Sequence, residues 1–176
     1  MKHHIIRIAA LCLLTVLALS AVSCSGNKVD VPDGMQLCSD DSLEYCFFVP
    51  AGWIVNSSSG TTGAYRAMNI PVSVTVTAHA PESALNVDGY WDLCEEDYKS
   101  EFKNYKFISE TPTTVAGLNA MDYVYEADFS GETYRFCQTI FIERSLFYII
   151  TYTATAEHYE TYLPDLAQMK AEFLFR

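Results

Sequence analysis

The chain is poor in positive charge, with 11 Lys and Arg against 22 Asp and Glu in 176 residues and a net charge of −11. A surface of that sign repels phosphate backbones and anionic headgroups, so nucleic acid is excluded as a partner. Metal-type and redox-type cysteine spacing is also missing, because none of the six cysteines stands in a C-x-x-C pair or in a zinc pattern with histidine. No G-x-S-x-G elbow or similar nucleophile motif occurs. Histidine is scarce. His79 continues the water-facing series Ser73, Thr75 and Thr77, and His158 stands between Glu157 and Tyr159, so both read as surface histidines. Asp40, Asp41 and Glu44 lack the D-x-D-x-D-G spacing of a calcium loop, and Glu95, Glu96, Asp97 and Glu101 read as the solvated face of a helix. These absences predict no catalytic residues, no metal and no cofactor: the chain does not read as an enzyme.

What is present begins at the N-terminus. Lys2 and Arg7, with His3 and His4, precede the uncharged run Ile8 to Val22, which is shorter than the roughly 20 residues a membrane-spanning helix needs. Small residues then lead into a cysteine, in Leu19, Ser20, Ala21, Val22, Ser23 and Cys24, and the polar Ser25, Gly26 and Asn27 follow. This resembles the lipobox of bacterial lipoproteins, in which the cysteine is lipidated and becomes the mature N-terminus. The expected organisation is a signal peptide at 1–23, lipidated Cys24 with a short tether to residue 35, and one domain over 36–176. That arrangement makes a membrane the first partner, through the anchor at Cys24, with the domain held close to it outside the cytoplasm. A single acyl chain holds weakly and two or more hold stably. The alternatives are an ordinary cleaved secretory signal and an uncleaved anchor helix.

With half its residues hydrophobic, the remainder reads as a folded domain with an acidic surface. Outside the leader and Cys24 remain Cys38, Cys46, Cys94 and Cys137, an even number for a compartment that permits disulfides. Cys38 and Cys46 flank a turn-rich Ser39-Asp40-Asp41-Ser42 and are expected to face each other across a hairpin. A 94–137 bridge would complete the set, with free buried thiols as the alternative for Cys94 and Cys137.

Strand signals dominate the domain. Tyr45 to Val49 is a β-rich run stopped at Pro50, Ala64 to Asn69 is a weaker strand, and Val72, Val74 and Val76 alternate with Ser73, Thr75 and Thr77. Val87, Trp91, Cys94, Tyr98 and Tyr105 recur at helical spacing, with Asn86 or Asp88 as N-cap. Residues 106–116, 120–129, 133–143 and 146–155 predict a meander with turns at Gly117-Leu118-Asn119, Ser130-Gly131 and Arg144-Ser145. Its last two strands are apolar on both faces, so both must be covered. Tyr159, Tyr162, Leu166, Met169 and Phe173 form a closing helical stripe, and Pro164 predicts a break within it. The expected fold class is α+β, a mainly antiparallel central sheet sandwiched between helices.

Several of these residues together carry a family likeness. Tyr45-x-Phe47-x-x-Pro50-x-x-Trp53, the helix with Tyr90-Trp91, the Val115-x-Gly117-x-x-Ala120 hairpin and Tyr148-x-Ile150-Thr151-Tyr152-x-Ala154 resemble the PsbP-like domains, including the DcrB-type lipoproteins. The resemblance spans residues 36–176 and rests on core and turn positions. It implies no enzymatic activity; the anchor at Cys24, the short tether and the absent catalytic set make the expected role a protein-interaction or assembly-stabilising module with a protein partner in the envelope. The alternative is a module that binds a glycan or peptide. The residues expected to line such a surface are Trp53 and Tyr65, beside the loop at residues 57–63, while Trp91 on the helical stripe is expected in the core.

Overall fold

The computed structural model describes residues 29–56, 62–83 and 86–176. Cys24, the expected signal peptide and the start of the tether lie outside them, as does most of the 57–63 loop. Alternation of apolar and polar residues gives the strands their period, and the longest of them build one antiparallel sheet. In chain order the strands are β1 (Met35–Leu37), β2 (Tyr45–Cys46), β3 (Phe48–Pro50), β4 (Ile54–Val55), β5 (Thr62–Ala67) and β6 (Ile70–His79). After helix α1 (Val87–Glu101) come β7 (Lys103–Val115), β8 (Leu118–Phe129), β9 (Glu132–Glu143) and β10 (Leu146–Thr155). Helix α2 (Ala156–Ala171) and β11 (Leu174–Phe175) close the chain. The seven-stranded sheet has the order β4-β5-β6-β10-β9-β8-β7, and two small ribbons pair β1 with β3 and β2 with β11.

Register fixes two faces. One row across the sheet runs Ala64, Val74, Tyr152, Cys137 and Val124, and the next runs Tyr65, Ser73, Thr153, Phe136 and Tyr125. Successive residues of a strand point to opposite sides, so these two rows belong to opposite faces. On the face of Phe136, Tyr90 and Trp91 of α1 pack with Tyr123, Tyr125, Ile140, Phe147 and Ile149. Trp91 and Tyr123 stack in parallel with centroids 4.3 Å apart. On the face of Cys137, Tyr152 donates its hydroxyl to the carbonyl of Tyr159 in α2 at 2.9 Å, and Lys170 reaches Asp122 at 2.6 Å. Phe173, just past α2, stacks on Tyr45 and meets Phe141 edge-on.

The turns differ in detail from expectation. Ala116-Gly117, Ser130-Gly131 and Arg144-Ser145 each hold two successive positive φ angles, the pattern of the two-residue hairpins that match strand twist. Leu118 and Asn119 therefore belong to β8 and not to the turn. Asn86 is the N-cap of α1 and accepts from the N–H of Gly89 at 2.7 Å. Asp88 lies inside the first turn and accepts from the hydroxyl of Tyr123. Tyr105, expected on the helix, sits in β7, yet its ring still meets Tyr125 and its hydroxyl donates to Glu95. The expected break at Pro164 is absent, for α2 runs through it. Pro164 is exposed, so the Glu160 carbonyl it leaves without an N–H faces water, while buried Tyr159, Leu166 and Met169 hold the helix to the sheet.

Candidate functional site

A length mismatch creates the site. Helix α1 has 15 residues and spans about 22 Å, whereas the 12 residues of β9 span about 40 Å. The helix stops at Phe102, whose N–H caps the carbonyl of Tyr98, and the sheet continues beyond it. That uncovered end of the Phe136 face forms an open pocket of about 410 Å³. Tyr65, Phe102, Phe129, Tyr134 and Phe136 supply its rings, with Ile70, Pro71 and Val72 along one wall and the hydroxyls of Ser73 and Thr153 on the floor. Phe102 and Phe136 lie nearly parallel at 6.2 Å, and Phe129 meets Tyr134 edge-on at 6.4 Å. Phe129 is 60% exposed.

Phe102 and Phe129 also border an adjoining hollow of about 450 Å³, together with Glu101, Lys103, Asp128, Ser130 and Gly131. Asp128 is held below the usual carboxylate range by hydrogen bonds from Thr133 and Asn104, at 2.7 and 2.6 Å. At the rim of the first pocket the Tyr134 hydroxyl donates to Glu132 at 3.2 Å. Burial, reinforced by that carboxylate, pushes the Tyr134 phenol above its ordinary value.

The two aromatics expected to share a groove are separated by the sheet. Tyr65 lines the pocket, but Trp53 is 3% exposed and turns to the α2 side. Its indole N–H donates to Asp165 at 2.7 Å and its ring meets Tyr162 edge-on. Trp53 is therefore a core anchor and not part of a binding surface.

All four cysteines within the described residues are free thiols. Cys38 and Cys46 miss each other by one residue of register: the N–H of Cys38 bonds to the carbonyl of Phe47, so Phe47 stands opposite Cys38. The Cys38 thiol then points to the carbonyl of Gly63, while Cys46 pairs with Leu174 and receives the Nε–H of Arg176. Cys94 lies on α1 among Tyr90 and Tyr98, and Cys137 lies on the other side of the sheet beside Tyr159. Burial pushes the Cys38 thiol up to about 11 and the Cys137 thiol up to about 12, the reverse of what activates a nucleophile.

His79 is exposed and its Nε2 contacts the Tyr90 hydroxyl at 2.8 Å, while His158 packs on Thr155. Neither touches a serine or cysteine in a nucleophile arrangement among the contacts described. Glu95 pairs with Lys99 on the surface of α1 at 2.7 Å. Asp41 and Glu44 pair with Arg176 and Arg144, and among the described residues no cluster of three or more His, Cys, Asp or Glu could hold a metal ion.

Sequence reasoning missed Phe102, Phe129, Tyr134 and Phe136 as a group. The available signal was Phe129, a large apolar residue placed directly before the Ser130-Gly131 turn, where exposure is the rule.

No family model matches the chain, and no curated protein matches it in sequence. Solved structures do. A Pseudomonas aeruginosa protein of unknown function is 16% identical with a TM-score of 0.59, over 81% of this chain and 97% of that one. Cyanobacterial PsbP (CyanoP) from Synechocystis sp. PCC 6803 is 15% identical with a TM-score of 0.58, over 88% of this chain and 98% of that one. The Ran-binding protein Mog1p of Saccharomyces cerevisiae is 9% identical with a TM-score of 0.57, over 80% of this chain and 95% of that one. At these identities the likeness shows the fold alone, and that fold is PsbP-like: a mostly antiparallel sheet with two helices.

Proposed function

We propose that the chain is a non-catalytic, lipid-anchored module of the bacterial envelope, of the DcrB type, that binds an apolar group in the aromatic pocket beyond the end of α1. The observation that carries this reading is the pocket itself: a concave, ring-lined volume within the roughly 300–1,000 Å³ of ligand sites, on a sheet face that the helix otherwise covers. The anchor rests on Lys2, Arg7, the Ile8 to Val22 run and the small residues before Cys24. Raised thiol values and surface-paired carboxylates support a non-catalytic role.

The geometry favours a small ligand. A second reading, an apolar side chain of a protein partner, is supported by Met68 and Phe129, 88% and 60% exposed on the two hairpins beside the pocket. The neutral fluorophore N-phenyl-1-naphthylamine tests the pocket. It should brighten with the wild-type chain and bind several-fold more weakly to Phe129→Ala, a variant that leaves the core intact. No brightening, or equal binding by the variant, overturns the assignment. Palmitate labelling should be lost in Cys24→Ala, and labelling that persists overturns the anchor.

A further inference from the structure

The ligand's charge can be read from what surrounds the rings, on the footing that the pocket is a ligand site. We infer that the pocket takes an organic cation with an apolar body, of the quaternary or alkylammonium class. Among the described residues, five aromatic side chains line it: Tyr65, Phe102, Phe129, Tyr134 and Phe136. The faces of such rings are electron-rich and attract a cation, more strongly as water is excluded.

Among the described residues that line it, none carries a positive charge. The arginines next in sequence to the lining residues are engaged on the other face of the sheet. Arg66 lies over Tyr162 and donates to the carbonyl of Gly52, and Arg135 pairs with Glu126 at 2.7 Å. The mouth carries the opposite sign. Glu132 sits on the Tyr134 hydroxyl, and the adjoining hollow adds one charge of each sign, Glu101 and Lys103, while Asp128 opposes Thr133 on the other face. The Glu132 carboxylate at this rim stands on a chain whose net charge is already −11. An anion meets repulsion at this mouth, and a neutral molecule gains nothing from it. A cation gains twice, from the rim and from the rings, with its apolar body against the wall of Ile70 and Pro71.

The test uses the full chain carrying Cys24→Ala, so that no acyl group competes. Three matched probes are titrated calorimetrically at low salt: benzyltrimethylammonium, its uncharged carbon isostere neopentylbenzene, and phenylmethanesulfonate. The cation should bind about tenfold tighter than either of the others, in line with a cation–π contribution near 1.4 kcal/mol. Glu132→Gln should weaken the cation about threefold and leave the neutral probe unchanged, whereas Phe129→Ala should weaken both.

Equal affinity for cation and isostere overturns this inference while leaving the apolar pocket standing. Preference for the sulfonate overturns it as well. Failure of all three probes overturns both the cation and the pocket. Flotation with phosphatidylcholine vesicles, set against phosphatidylglycerol vesicles, separates the sources of the cation. Selective flotation with phosphatidylcholine assigns it to a lipid headgroup, and cation binding without flotation assigns it to a free small molecule.

Discussion

Trp53 shows how much a single side chain can be asked to do. It follows the Pro50-Ala51-Gly52 turn, is almost fully buried, and spends its one polar atom on Asp165, 112 residues away in sequence. A hydrogen bond to a charged acceptor contributes about 1.5–3 kcal/mol. Trp53→Phe keeps most of the ring, so its cost should fall in that range and appear as a lower urea midpoint with an unchanged m-value. A loss below about 0.5 kcal/mol would show that water replaces the bond. The sequence marked Trp53 correctly as special and placed it wrongly. A tryptophan after a turn is equally suited to a surface platform and to a core anchor, and only Asp165, on a distant helix, decides between them. The cysteines failed in a related way. Even number and turn-flanking positions suggested pairing, but one residue of register directs Cys38 to Gly63 and Cys46 to Arg176.

At the scale of elements, periodicity was a good guide and punctuation a poorer one. The alternation of Val72, Val74 and Val76 and the long meander are legible because burial on a pleated sheet imposes a strict period of two. The ends of α1 and the continuity of α2 depend on what each helix packs against, which periodicity does not contain. Pro164 is the informative case. Its ring and missing N–H cost a helix about 3 kcal/mol against alanine, and here tertiary packing of Tyr159, Leu166 and Met169 overrides that cost. Pro164→Ala restores a donor to the Glu160 carbonyl at an exposed position. It gives back some unfolded-chain entropy, about 0.4–1 kcal/mol. The net expectation is a gain of about 1–3 kcal/mol in chemical denaturation, and a destabilised variant would mean that α2 is already bent to suit the proline. The pocket was illegible for a reason of the same kind: it is the difference between the length of a helix and the length of a sheet, and no single segment records a difference.

The whole molecule is unusually rich in buried weak acids of the alkaline range. Desolvation raises the phenols of Tyr90, Tyr105, Tyr123, Tyr125, Tyr152 and Tyr159, places Tyr98 at about 12, and raises Cys38 and Cys137 to about 11 and 12. Their ordinary values are 10.0 for the phenol and 9.0 for the thiol. Below those values both folded and unfolded chains hold the protons, so stability is undiminished. Above them the unfolded chain releases protons that the folded chain keeps, and stability falls until the folded groups also ionise. Unfolding should therefore set in between about pH 9 and 12. The absorbance of these buried phenols should rise in one cooperative step together with loss of circular dichroism. Stepwise titration of these buried tyrosines in a folded protein would contradict the shared burial.

One of the two outer strands of the sheet, β7, carries this whole-molecule balance into the company of other copies. Its free edge runs along 13 residues, long enough to template a neighbouring chain, yet Lys103, Lys106 and Pro112 and two register shifts against β8 interrupt it. Crowded molecules meet at such edges first. A strand that is charged, interrupted in register and missing an N–H gives them nothing continuous to extend, so this edge resists templated pairing between copies.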